Sequence, residues 1–366
     1  MSSALKRIAG SQKNIFIIMF LVLLILPLFL SDFHTNLLGR YLSFAILVIG
    51  LNLLWGYAGV LSLGHGIFFG IGAYVMAMYV TMESSGGGLP DFMVWNGVTE
   101  LPFIWSILSS PFAAVPLGIL FPMALAFLIG FFTFRNRIRG VYFTILTQAL
   151  VIVTVTLIVS QQNVTGGSNG LTGFRTVFGF SLASPFTVTI LYFVTLAFLG
   201  LIFWLSCRLV NSRFGNVLVA IRDGENRLRF SGYNTAYYKI FIFTLSAGIA
   251  GLAGMLFVLQ VGIISPSMID IVPSIEMILW VAIGGRGTLL GPIFGALLAN
   301  SGKTFFSQTY PDFWLFLIGA VFIIVVVFLP GGLMSIGTKI KQKWGRSHVR
   351  AKDEETGEED KKNTAV

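Results

Sequence analysis

The sequence predicts an all-α integral membrane protein with about ten transmembrane helices, some of them broken at glycine-rich segments. Three observations predict it. Hydrophobic residues fill 55% of the 366 positions against 11% charged, the mean hydropathy is +0.86, and apolar runs of spanning length recur along the chain. A soluble chain carries roughly twice that charged fraction, so soluble-enzyme and nucleic-acid-binding classes are excluded. The net charge of +9 does not restore nucleic acid as a partner. Its Lys and Arg gather at segment ends and in the tail, where they orient a membrane protein in the lipid bilayer. Cys207 is the single cysteine, and His34, His65 and His348 stand apart from one another. No disulfide, metal site or cofactor is expected.

In chain order, residues 1–14 read as a cytoplasmic N-terminus carrying Lys6, Arg7 and Lys13. The apolar run Ile15 to Leu30 resembles a secretory signal, but it ends at Leu30-Ser31-Asp32 without an Ala-x-Ala pattern and reads as an uncleaved first span. Further apolar segments lie near 37–55, 60–80, 112–134, 141–160, 186–206, 240–262, 273–284, 288–304 and 313–330. The longer ones meet the roughly 20-residue requirement for crossing the hydrocarbon. The two short ones, 273–284 and 288–304, are split by Gly284-Gly285-Arg286-Gly287.

Charge decides whether that pair counts once or twice. Basic residues prefer the cytoplasmic side. With the N-terminus inside, Arg135, Arg137 and Arg139 fall inside, as does the loop 207–239 with Arg208, Arg213, Arg222, Arg227, Arg229 and Lys239. Glu83 to Glu100, without Lys or Arg, falls outside, and so does 161–185 with only Arg175. The tail 334–366 is basic from Lys339 to Lys352, then acidic from Asp353 to Asp360, and belongs inside. That requires an even number of spans, so 273–304 counts as two within a membrane domain of residues 15–333.

Three features suggest mechanism. The first is the run from Trp55 to Gly66, with Gly56, Gly59, Gly64 and Gly66 at membrane depth. Glycine weakens a helix by about 1 kcal/mol relative to alanine, so the run either lines a pathway as non-helical backbone or packs very closely. His65 and Glu276 are ionisable groups at membrane depth. The histidine reads as a neutral ring bonded to a backbone carbonyl or as a pathway group. The acid reads as the partner of a Lys or Arg, a helix cap or a substrate contact.

The second feature, Gly284-Gly285-Arg286-Gly287-Thr288 with Pro292 beyond, predicts a broken helix resuming near Thr288. Small residues at 287, 291, 295 and 299 form one groove, and Ala247, Gly251 with Ala250, Gly254 form another. The third is the mixed-charge stretch 211–234, where Asp223 and Glu225 interleave with Arg222, Arg227 and Arg229. It suits a short helix along the membrane surface that docks on a soluble partner.

On these motifs the sequence resembles the integral-membrane permease subunits of ABC importers of the branched-chain amino acid and urea type. The resemblance runs from about Leu37 to Leu333. It rests on Gly56 to Gly66, Thr165 to Gly173, Ala220-Ile221-Arg222-Asp223 with Gly232-Tyr233-Asn234, and Gly284 to Thr288. The outer insert at 89–105 and Thr147-Gln148-Ala149 look most like the urea-type permease. The resemblance implies no catalytic site on this chain and a bacterial inner-membrane location. It also implies a homologous partner permease, two cytoplasmic ATP-binding subunits docked around 213–232, and an extracytoplasmic solute-binding protein. Ala220, Arg222, Asp223, Glu225, Arg227 and Gly232 are the expected coupling residues. The chain itself has no Gly-x-x-x-x-Gly-Lys-Ser/Thr loop to hold ATP.

A polytopic enzyme would need a richer cluster of acids and histidines than His65 and Glu276 provide. A passive channel would explain the glycine breaks but not the 207–239 loop. Urea is the expected substrate, with a short-chain amide or a branched-chain amino acid as the alternative. Asn52, Ser62, His65, Thr147, Gln148 and Glu276 are the expected pathway residues, since a polar uncharged solute moves through successive hydrogen bonds.

Ten spans with both termini inside make a direct prediction. Reporter fusions after Leu89, Arg139, Gly173, Gly224, Gln308 and Lys343 should read outside, inside, outside, inside, outside, inside. An external C-terminus would merge 273–304 into one span.

Overall fold

A computed structural model describes residues 3–138 and 140–310, and beyond them 313, 316, 319, 320, 323 and 332–334. The expected last span and the charged tail lie almost wholly outside the described residues. The chain opens with α1 (Ser3–Ile25), α2 (Asp32–Asn52), a π-helical turn (Leu53–Tyr57) and α3 (His65–Ser84). Two short helices, α4 (Asp91–Trp95) and α5 (Phe103–Leu108), precede α6 (Pro111–Arg135) and α7 (Val141–Ser160). Next come α8 (Gln162–Thr165) and three two-residue strands, β1 (Leu171–Thr172), β2 (Thr176–Val177) and β3 (Phe180–Ser181). Helices α9 (Pro185–Val210), α10 (Arg213–Phe230) and α11 (Thr235–Val261) follow, then β4 (Ile263–Ile264), α12 (Ile271–Gly284) and α13 (Leu290–Thr309).

Seven segments among the described residues are long and apolar enough to cross a bilayer. They are Asp32–Tyr57, His65–Ser84, Pro111–Arg135, Val141–Ser160, Pro185–Val210, Thr235–Val261 and Pro266–Gly284. Asn14–Leu28 is a shorter apolar helix. It leans on α9 through the stacked rings of Phe16 and Phe203 and the bond from Tyr192 Oη to the Leu23 carbonyl. The 20-residue α13 could reach about 30 Å at 1.5 Å per residue, but Asn300, Ser301 and Lys303 make it more polar than its neighbours. The molecule is an all-α integral membrane protein.

Helices α2, α3 and α11 form the centre and are almost wholly enclosed, whereas α6, α7 and α9 turn Leu120, Phe127, Ile152 and Trp204 outward. This inversion of the soluble pattern is what a lipid solvent permits. Small residues bring the central backbones together. A side chain at Gly254 would strike the Phe69 carbonyl of α3, and one at Gly72 would strike the Gly251 carbonyl. On the other side, a Cβ at Gly251 would lie 2.6 Å from the Gly118 carbonyl of α6. Pro122, four residues on, has no N–H to offer that carbonyl. One glycine therefore lets α11 touch α3 and cover the flaw that proline leaves in α6.

Helices α12 and α13 form an antiparallel hairpin. Gly284 lies against Gly291, Gly295 against the Trp280 carbonyl, and Glu276 pairs with Lys303. Pro292 sits in the first turn of α13, where its missing N–H costs nothing.

Between the spans, β1 pairs antiparallel with β4, β2 pairs with β3, and Trp105 Nε1 donates to the Val164 carbonyl. The Glu83 carboxylate at the end of α3 accepts the N–H groups of Phe178 and Gly179. These bonds tie the loops between spans into one layer.

Close packing at α11 predicts that Gly254→Leu destabilises by about 1–3 kcal/mol, the usual cost of overpacking. Gly302→Ala, on α13 with open space where the methyl would go, should be neutral or stabilising by up to about 1 kcal/mol. Thermal melting of the two detergent-purified variants checks the contrast.

Candidate translocation and coupling site

The run after α2 is interrupted, as its glycines require. The helix widens into the π-turn, Gly59 takes φ +73°, and regular helix resumes only at His65. Each glycine is met by a different element. A Cβ at Gly56 would collide with the Asn52 side chain and with Gly287 N, and one at Gly59 with Arg222. Gly64 faces the Thr147 carbonyl, and Gly66 faces Ser274 Oγ. The segment is both interrupted and close-packed, so the two sequence readings describe one arrangement. Ala58 to Leu61 also wall a cavity.

Asn52 is the centre of that arrangement. Its side chain is fully buried and grips the second break in two places. Oδ1 accepts the Gly287 N–H at 3.0 Å, and Nδ2 donates to the Thr288 carbonyl at 2.9 Å. An amide offers two acceptor lone pairs and two donor hydrogens, and one of each is committed to the turn between α12 and α13. Arg286 adds a third tie, with its guanidinium 5.6 Å from the Trp55 ring. Gly285 and Gly287 hold φ of +113° and +80°, backbone that a residue with a Cβ enters only under strain.

Helix α10 reaches the same point. Ser212 caps it by accepting the Gly215 N–H. Leu218 and Ile221 are buried against the membrane core, and the helix bends at Gly224. From this helix Arg222 Nη1 donates to the Gly56 carbonyl at 2.7 Å, while its Nε pairs with the exposed Asp223. Behind the bend, Glu225 accepts from Lys239 at 2.7 Å, Arg229 at 3.2 Å and Thr235 Oγ1 at 3.0 Å, fixing α10 to the start of α11. Asn216, Asp223, Arg227 and Phe230 are exposed, as is Gly232 beyond them; Ala220 is half-buried. Between α10, the first break and the start of α7 lies a cavity of about 510 Å³ walled by Gly59, Thr144, Arg222 and Lys239.

The other expected pathway residues scatter. Ser62 Oγ is buried and accepts weakly from the Gly64 N–H, at 3.4 Å. Thr147 accepts from the Leu63 N–H and donates to the Thr144 carbonyl. Gln148 is half-buried one residue further on. His65 is buried, and its Nε2 bonds the Ser246 hydroxyl of α11 at 2.7 Å rather than a backbone carbonyl. Glu276 is buried and pairs with Lys303 at 2.8 Å, away from the turn of the α12–α13 hairpin. That pair borders a cavity of about 990 Å³ walled by Leu279, Trp280, Phe294 and Leu298.

Sequence reasoning missed Lys303, Arg286 against Trp55, and Ser246. Lys303 carried a signal: once 284 faces 291, an antiparallel hairpin places 276 near 299–303.

Comparison with known proteins agrees with this architecture. A family model described as "Branched-chain amino acid transport system / permease component" matches residues 33–326. The high-affinity branched-chain amino acid transport system permease protein LivM of Escherichia coli is 26% identical over 346 residues, covering 88% of this chain and 75% of that protein. LivM of Salmonella typhimurium is 26% identical over 360 residues, covering 92% and 78%. BraD of Pseudomonas aeruginosa, named for the same transport, is 23% identical over 304 residues, covering 80% and 91%. No solved structure matches the chain significantly. With the match running from the start of α2 through both breaks and α10, the chain belongs to the branched-chain amino acid transport permease family and is a multi-pass inner-membrane permease subunit of the ABC importer class.

Proposed function

We propose that this permease imports branched-chain amino acids, with ATP hydrolysed by separate subunits docked on α10 and substrate delivered by a solute-binding protein at the outer layer. The observation that carries the substrate is the family match over residues 33–326, together with relatives named for branched-chain amino acids. The urea expectation from the outer insert and Gln148 finds no support among those relatives, so the alternative becomes the main reading. The chemistry of the outer hairpin agrees with it. A zwitterion with an aliphatic side chain suits an acid–base pair beside an apolar wall, as at Glu276–Lys303, whereas urea needs neither.

The membrane domain 15–333 pairs with a homologous permease in this reading. The exposed face of α10, with Asn216, Asp223, Arg227 and Phe230, receives the ATP-binding subunit. Its mixed signs suit a protein surface better than anionic lipid, which favours uninterrupted basic residues. Arg222, partly exposed beside Asp223, also donates to the Gly56 carbonyl, so α10 joins the docking surface to the interrupted helices. Thr147 and Gln148 on α7, beside the first break, are the side chains we assign to solute passage on the inner half.

Reconstitution of the assembly with its binding protein checks the substrate. Labelled leucine should accumulate with ATP and labelled urea should not; the reverse would return urea as the substrate. Gln148→Leu should lower leucine uptake about threefold or more if its amide contacts solute, the loss of one hydrogen bond. Docking is checked separately: Arg227→Glu should weaken co-purification of the ATP-binding subunit without changing membrane insertion.

A further inference from the structure

Three segments far apart in sequence meet at one point: the turn 53–57, the turn 285–289 and α10. Two side chains join them: the buried Asn52, whose bonds are to backbone, and the partly exposed Arg222, which bonds backbone as well as the Asp223 carboxylate. Asn52 spans from the end of α2 to both peptide groups of Gly287 and Thr288. Arg222 reaches from α10 to the carbonyl of Gly56, four residues after Asn52. The spacing leaves no slack, since a Cβ at Gly56 would strike both Asn52 Oδ1 and Gly287 N, and Gly287 itself lies beside Arg222 Nη1. A displacement of Arg222 therefore cannot be absorbed at Gly56 without reaching the hairpin turn.

We propose that Arg222, Gly56, Asn52 and the Gly287–Thr288 turn act as one mechanical joint. Through it, movement of α10 shifts the α12–α13 hairpin and the first break together. Arg222 and Asn52 are positioning residues in this role. The inference rests on the reading of α10 as the seat of an ATP-binding subunit, and it adds which part of the membrane domain that subunit moves. The hairpin suits the load, because Gly284 against Gly291 and Gly295 against Trp280 hold its two arms in direct backbone contact.

The chemistry also makes the joint releasable. The Arg222 bond is a single charge-assisted hydrogen bond at the edge of the 510 Å³ cavity, and its guanidinium can shift to Asp223, which it already touches. The Asn52 clamp is buried and doubly bonded, so it holds while the Arg222 contact gives way.

The test uses the complete reconstituted assembly and reads leucine moved per ATP hydrolysed. Arg222→Ala should lower that ratio about tenfold, the order expected for a lost charge-assisted bond. Arg222→Lys, which can still donate to the Gly56 carbonyl, should restore most of it. Asn52→Asp keeps the shape but loses the donor to Thr288, and should lower the ratio similarly although Asn52 is fully buried and out of direct reach of a docked subunit. The double variant should be no worse than the poorer single one, because both cut the same link. Unchanged ratios, or losses that multiply, would overturn the joint.

Should Asn52→Asp fail to accumulate, amide hydrogen exchange on the wild-type assembly decides. Peptides covering 53–60 and 285–289 should change protection together on adding a non-hydrolysable ATP analogue; a change in one alone would overturn the joint. An ATP-binding subunit that does not co-purify with the wild-type chain would overturn the docking reading and the joint with it. Co-purification with unaffected ratios would overturn the joint alone.

Discussion

A peptide group left without a hydrogen-bond partner in hydrocarbon costs several kcal/mol, and among the described residues this chain interrupts its apolar helices at 53–64 and again at 285–289. The structure depends on how that cost is met. At the first break the Gly56 carbonyl receives Arg222, and at the second the Gly287 N–H and Thr288 carbonyl receive Asn52. Each is stabilised by a side chain from another part of the chain, so the two breaks and α10 form one unit instead of three local irregularities.

The same economy governs the packing. With apolar lipid as solvent, burying leucine against leucine gains little, and helices are held by close backbone approach and by polar bonds. The central position of α11 follows, because Gly251 and Gly254 let it approach α6 and α3 at once. The buried His65–Ser246 and Gln260–Thr195 bonds then fix its rotation. The outward faces of α6, α7 and α9 carry the large apolar residues, where they meet lipid or a partner subunit.

Much of this was legible in the sequence. Span positions followed from apolar length, the hairpin of α12 and α13 from Gly284 to Gly287, and the surface helix α10 from its interleaved charges. The family was visible in the same glycine motifs. What stayed hidden was partnership. Asn52 looked like a polar residue available to solute, and nothing in its neighbourhood announced that both edges of its amide are taken by residues 287 and 288. Arg222 read as part of a docking surface, and its bond to the Gly56 carbonyl was not visible. Glu276 called for a basic partner, and only the hairpin register selects Lys303. Residue types in order show which groups need partners at membrane depth. Which partner each finds is a property of the tertiary arrangement, and the side chains that contact solute were hidden for the same reason.

The clamp at Asn52 also has a history within each molecule's synthesis. Its acceptor contact lies 235 residues downstream. At ribosomal rates of about 5–20 residues per second, that stretch takes roughly ten to fifty seconds to emerge. Arg222, the partner of the Gly56 carbonyl, is made 166 residues after it and well before the 287–288 turn. The first break therefore gains its partners in two steps during synthesis, from α10 first and from the hairpin turn second.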